Sequence, residues 1–290
     1  RRVLFRSTGC ASAPGFIDRA PGDVGAWAAC FEAATLPVLR SSADAIEEWR
    51  EHEDAVDAHL LSETLSNDPL LTIKVLAHVA DLRRGRDASG PETLTEALVM
   101  LGITPFFRDF GPQPTVESVL AEHPAALEGF RAVLSRAHRA ARFALAFAVQ
   151  RMDHDNAVIH EATLLHDFAE LLLWLRAPAL AGEIAFRQQL DGALRSAVVQ
   201  QDVLNIRLSD LQHALMIRWR LPRVLIELAD DKREGLSTQA RNVLLAIRLA
   251  RHTARTWESP ALADDVRDIA DLLHMAPEPT LALLHDIDGV

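Results

Sequence analysis

His166 and Asp167 stand side by side in EATLLHDFAELLLW, residues 161–174, inside an otherwise almost wholly apolar run. Imidazole nitrogen and carboxylate oxygen are donors that hold divalent ions at hydrolytic centres, and they also hydrogen-bond to each other when no ion is present. His138 lies 28 residues upstream and His213 lies 47 residues downstream of His166. Two readings follow. One is a metal centre with His138, His166, Asp167 and His213 as ligands at about 2.1 Å. The other is a hydrogen-bonded polar cluster that specifies packing, with His160 as a further partner. Spacing alone does not choose, because the chain holds 12 histidines. A second His-Asp pair, His285 and Asp286 in LALLHDIDG, reads as structural or surface.

The elements that must position these residues are helical. The spacing predicts one helix over 157–175, about 28 Å long, apolar on nearly every side and therefore enclosed by protein. A buried histidine and carboxylate there need partners or must change charge state. Upstream, the run from Leu134 to Met152 reads as a long helix and DHDN interrupts it. SNDP supplies a cap with Pro69 at a helix start, ETLTEALVMLG stops at Gly102, and Pro178 ends the 157–175 helix. Further helices are expected near 179–190, 193–203, 209–219, 222–230, 237–256, 262–275 and 278–285. Residues 1–34 carry Gly and Pro at short intervals without a period and read as an irregular lead-in. Phe106, Phe107 and Phe110, in a Gly- and Pro-bounded stretch, read as core between two helical blocks, and Trp219 as a helix-end core residue. β-Branched residues are few, so the fold class is all-α, without internal repeats.

Composition narrows the function classes. Thirty Lys+Arg against 41 Asp+Glu give a formal charge of −11, which repels phosphate backbones and argues against nucleic acid as a partner. No run of 18 apolar residues occurs, so no membrane span is expected. Two cysteines, Cys10 and Cys30, fit a reducing compartment and a cytoplasmic location. No tyrosine is present, so no phenol can serve as acid, base or ligand. The first residue is Arg rather than Met, which leaves room for a domain upstream.

The order of features resembles an HDOD domain, a helical relative of the HD metal-dependent phosphohydrolases that is regarded as non-catalytic and occurs in bacterial signalling proteins. The resemblance rests on LPVL at 36–39, LLSETLSNDPLLTIKVL at 60–76, TLTEALVMLG at 93–102, SRAHRAARFALAFA, ATLLHDFAELLL at 162–173 and SDLQHALMIRWRLPRVLIELA at 209–229. It covers residues 35–256, divided into an amino-terminal helical part at 35–130 and an HD-like core at 131–256. A carboxy-terminal helical extension at 257–290 follows. It implies an HD-domain-like helical bundle in which His138 resembles the upstream histidine, His166 and Asp167 the signature pair, and His213 the histidine before the W-x-LP segment.

Three departures bear on chemistry. Catalytic relatives close the metal site with an aspartate from a later helix, yet no acidic residue lies between Glu234 and Glu258. STQARNVLLAIRLARHTARTW offers Arg241, Arg248, Arg251, Arg255 or His252 where that carboxylate is needed. Paired histidines that resemble second-metal ligands are replaced by Asp230, Asp231, Lys232 and Arg233. HVADLRR stands where an Asn-Ser pair is usual. The resemblance therefore implies a non-catalytic signal-transduction module with no cofactor, acting through a protein partner, such as an upstream receiver domain, or by sensing a small ligand. A homodimer is left open. The alternative is a phosphohydrolase acting on a nucleotide or cyclic nucleotide with a single divalent metal ion, for which Arg139 and Arg142 would be candidate cations beside the phosphate.

Overall fold

The computed structural model describes residues 15–84, 90–191, 194–230 and 235–289, and the regular elements among these residues are helices. The expectation for an all-α chain holds. Among the described residues the only ladder-type contact is a parallel bridge between Val38 and Thr115. The first block contains α1 (Val24–Ala29), α2 (Arg40–Arg50), α3 (Ala58–Leu65), α4 (Pro69–Leu82), α5 (Leu94–Leu101), α6 (Ile103–Asp109) and α7 (Val116–Val119). The second is built on the long α8 (Pro124–Gln150), followed by α9 (Asn156–Leu164), α10 (Phe168–Arg176), α11 (Pro178–Leu190), α12 (Ser196–Leu204), α13 (Leu208–Arg218), α14 (Arg223–Leu228) and α15 (Thr238–His252). Helices α16 (Leu262–Leu273) and α17 (Pro277–Asp288) complete the chain.

Local chemistry explains where these helices begin and end. Asp68 caps α4, accepting from Leu70 N and Leu71 N at 3.0 Å, and Pro69 occupies the first turn where no amide hydrogen is needed. The same carboxylate accepts from Leu39 N at 2.7 Å, so it also fastens the LPVL segment to α4. Lys74, buried on α4, donates to Leu36 O at 2.8 Å and to Gln113 Oε1. Burial pushes its ammonium down to about 8, against the pull of Asp68. Gly102, at φ +86°, stops α5 as expected. The following TPFFRDFG stretch is more regular than its prolines suggest. It forms α6, with Phe106, Phe107 and Phe110 all buried and the Phe106 ring 5.4 Å from that of Phe107 and 5.1 Å from that of Phe110.

The irregular lead-in expected over 1–34 requires correction within its described part. Asp23 caps α1 through Ala26 N at 2.8 Å, and the fully buried Trp27 donates from its indole to Leu204 O at 2.9 Å, seating α1 beside α13. Six residues are too few to show a helical period in sequence. Residues 1–14, with Cys10, and residues 85–89 lie outside the described residues, as do Asp231, Lys232 and Arg233.

The core runs through both blocks as one cluster, and α8 is its axis, packed by α9, α10 and α15. It begins at Pro124, ten residues earlier than expected, and therefore runs through the expected division at 130/131. Gly129 on α8 lies directly under the Trp174 indole of α10, and a methyl group there would collide with the ring. Glu161, buried on α9, accepts from Leu94 N at 2.5 Å and so carries the start of α5. Burial pushes its carboxyl up to about 8, against the Leu94 hydrogen bond and with help from Glu96.

Two stability predictions follow from these packings. Gly129→Ala should lower stability by about 1–3 kcal/mol through overpacking against Trp174, read as the shift in the urea midpoint. The stability that protonated Glu161 contributes is present below its unfolded value of 4.5 and is lost as pH rises through about 8. Glu161→Gln retains an acceptor for Leu94 N without titrating. The variant should gain on the wild type as pH rises from about 5 to about 8 in parallel denaturation curves and level off above that, and a pH-independent difference would refute this assignment.

Candidate functional site

The helix expected over 157–175 is two helices. Between α9 and α10 the chain tightens into i→i−3 pairing, His166 N to Thr163 O at 3.2 Å and Phe168 N to Leu165 O at 3.4 Å. A continuous helix would set adjacent side chains about 100° apart. The tightened turn instead brings His166 Nδ1 to 3.0 Å from Asp167 Oδ1. Leu164, Leu165, Phe168, Ala169, Leu171, Leu172, Leu173 and Leu175 are buried around them, so the enclosure expected from the apolar run is present.

Asp167 is the centre of a charge cluster drawn from three parts of the chain. Arg251, near the end of α15, donates to Oδ1 at 2.5 Å, and Arg136 of α8 donates to Oδ2 at 3.4 Å. Arg136 also binds Glu170 Oε2 at 2.5 Å. The Asp167 side chain is only 12% exposed. Burial alone would raise its carboxyl, but Arg251, His166 and Arg136 together hold it well below the usual carboxylate range. Glu170 moves the other way, raised by burial and by Asp167 against the pull of Arg136 and Arg251. Asp167 is an acceptor only, so His166 donates through Nδ1. His166 Nε2 is buried and has no hydrogen-bond partner among the described residues.

The four residues singled out in sequence are not all brought together. His166, Asp167 and His213 line one cavity of about 690 Å³, bounded by α8, α10, α11, α12, α13 and the end of α15. His138 is not among the lining residues. It faces the other way along α8, its Nε2 2.6 Å from Asn67 O in the turn before α4. It thus ties the second block to the first, and burial together with its nearness lowers His160. Among the described residues no group of three or more His, Cys, Asp and Glu side chains is placed to hold a metal ion. The donor set does not fit a divalent cation, since the carboxylate that would anchor one is held by two guanidinium groups.

Arg251 was legible as one of five basic candidates in the segment lacking a carboxylate. Arg136 was not, because a single arginine on a long helix carries no signal of its own. The clue available was the need of Asp167 and Glu170, one helical turn apart, for a shared cation. Gln200 and Gln212 were also missed. Gln200 Oε1 accepts from Leu208 N at 3.0 Å, and Gln212 Oε1 accepts from Ala169 N at 3.4 Å. These amides serve the starts of α13 and α10, for which the adjoining residues supply no side-chain cap. Arg139 and Arg142 lie outside the cavity. Arg139 forms a two-bonded pair with Asp288 at 2.7 and 2.8 Å, and Arg142 approaches the same carboxylate at 3.7 Å. His285 packs edge-on against Trp257, 4.5 Å between ring centres, in keeping with its structural reading.

Comparison with known proteins agrees with this architecture. The model of the HDOD domain family matches residues 36–234. The response regulator MmoQ from Methylococcus capsulatus str. Bath shares the fold with a TM-score of 0.63 at 20% identity, over 84% of this chain and 99% of that one. A virulence factor from Campylobacter jejuni subsp. jejuni superposes with a TM-score of 0.61 at 15% identity, over 87% and 94% of the two chains. No curated protein matches. No helix among the described residues is long and apolar enough to cross a membrane.

Removing Asp167 should show what the cluster contributes. Asp167→Ala leaves Arg136, Arg251 and His166 facing one another and should cost about 3–5 kcal/mol, measured by chemical denaturation at pH 7. Asp167→Asn retains one acceptor oxygen and should cost less. Because the folded carboxyl is depressed, its contribution is present above the unfolded value of 3.8 and is lost as pH falls through the lower folded value. The gap between wild type and Asp167→Asn should therefore narrow below pH 4.

Proposed function

The chain belongs to the HDOD domain family, and we propose that it is a signal-transduction module of the cytoplasm that works by recognition and not by catalysis. Its partners on this reading are a protein of a signalling pathway, such as a receiver domain, and a small ligand that biases the interaction. MmoQ, whose fold it shares, is described as a response regulator.

One observation carries the non-catalytic reading. Both oxygens of Asp167 are engaged by permanently charged guanidinium groups, Arg251 on one and Arg136 on the other. A catalytic divalent ion would have to share that carboxylate with two fixed positive charges, in surroundings where repulsion is weakly screened. It would also lack the later-helix carboxylate, because Arg251 stands in that segment. The His138 bond to Asn67 O takes a further imidazole out of the ligand set. The phosphohydrolase alternative has no comparable observation in its favour.

Phosphodiester and phosphomonoester substrates, offered with manganese, magnesium, iron or zinc, should show no turnover above a heat-denatured control. A metal-dependent rate that Asp167→Asn abolishes in folded protein would put the phosphohydrolase reading first.

A further inference from the structure

The cavity beside Asp167 has an excess of hydrogen-bond donors that the protein does not use. Its carboxylates are all engaged: Asp167 and Glu170 by the arginines described above, and Asp210 and Asp230 by partners of their own. Arg207, exposed at the start of α13, lines the same cavity and forms no ion pair with the described residues. Gln200 and Gln212 spend their oxygens on backbone amides, which leaves both Nε2 groups without an acceptor among the described residues. His166, its side chain 10% exposed, also lines the cavity and has a buried Nε2 without a hydrogen-bond partner among the described residues. Leu173, Trp174, Ala181, Ile184 and Met216 give the same cavity an apolar part of its lining.

We infer that this cavity binds a small organic anion with an apolar body, a carboxylate on an aliphatic or aromatic frame. The carboxylate pairs with Arg207 and the free glutamine amides, and the frame lies against Trp174 and Ile184. The volume of about 690 Å³ falls in the range of small-molecule sites, about 300–1,000 Å³. Inorganic phosphate would satisfy the donors but leave the apolar wall in water. A neutral molecule of the same frame would leave Arg207 and the amides without acceptors, the arrangement that makes polar sites selective. The inference rests on the module acting by binding, and it names the ligand class of the site already described.

Isothermal titration of the full chain with octanoate and benzoate, with octanol and benzyl alcohol as neutral counterparts and inorganic phosphate as a bare anion, tests this. The carboxylates should bind, and their neutral counterparts should bind at least about tenfold more weakly, as expected for loss of a charged hydrogen bond. Phosphate should give no heat at the same concentrations. Arg207→Gln should weaken octanoate by about tenfold while leaving the thermal midpoint unchanged. Ala185→Trp, which fills the cavity from α11, should abolish binding, with circular dichroism reporting that the fold persists. The inference is overturned if neither carboxylate binds the folded wild type, if octanol or phosphate binds as tightly as octanoate, or if both variants bind normally. Failure of the carboxylates to bind, with the turnover assays also blank, would move recognition to a protein surface. Turnover would instead defeat the reading on which the inference rests.

Discussion

A carboxylate removed from water stays ionised only where fixed positive charge replaces the lost solvation, and Asp167 meets that condition with residues from α8, α15 and its own turn. The consequence is structural before it is functional. Arg136 and Arg251 sit about a hundred residues apart in sequence on two helices that pack against each other, and their meeting at one carboxylate sets the register of α8, α15 and the 165–167 turn together. A metal ion in the same place would be exchangeable, and chelators or acid could remove it. Guanidinium groups are part of the chain, so here the charge balance of the site is inseparable from the packing of its helices.

The same logic recurs wherever a polar group is buried. Asp68 accepts three backbone amides and holds two segments in one grip. Glu161 supports the first amide of α5 and is raised enough by burial to keep its proton near neutrality. Asn242, fully buried on α15, donates to Ala144 O of α8 at 3.1 Å and pins the central helix pair at one height. At the far end, His252 and Arg248 of α15 both reach Asp265 of α16, at 2.7 Å each. Hydrocarbon burial brings these helices together without preferred register. The directional bonds choose one register.

Helix class, the cap in SNDP before Pro69, the stop at Gly102 and the enclosure of 164–175 were legible in sequence because each depends on residues within a turn or two of one another. The 165–167 turn was not. An apolar run looks the same whether it is one helix or two, and what breaks this one is the meeting of Asp167 with cations 31 and 84 positions away. His138 misled for a related reason. Motif order places it correctly on α8, yet the direction of its ring is set by Asn67, 71 positions upstream. The arginine that reaches the site is Arg136, two residues earlier and thus on a different face of the helix. Helix α1 was missed because its evidence, the seat of Trp27, belongs to α12 and α13.

That seat has a consequence for the growing chain. Trp27 finds the acceptor for its indole at Leu204, 177 residues later. A ribosome adding 5–20 residues per second needs roughly ten to thirty-five seconds to reach that point. Through that interval the largest side chain of the first helix has no native burial site, while α2 to α7 can already close around Asp68, Lys74 and the phenylalanine cluster. Helix α1 is therefore made well before the segment that houses its tryptophan.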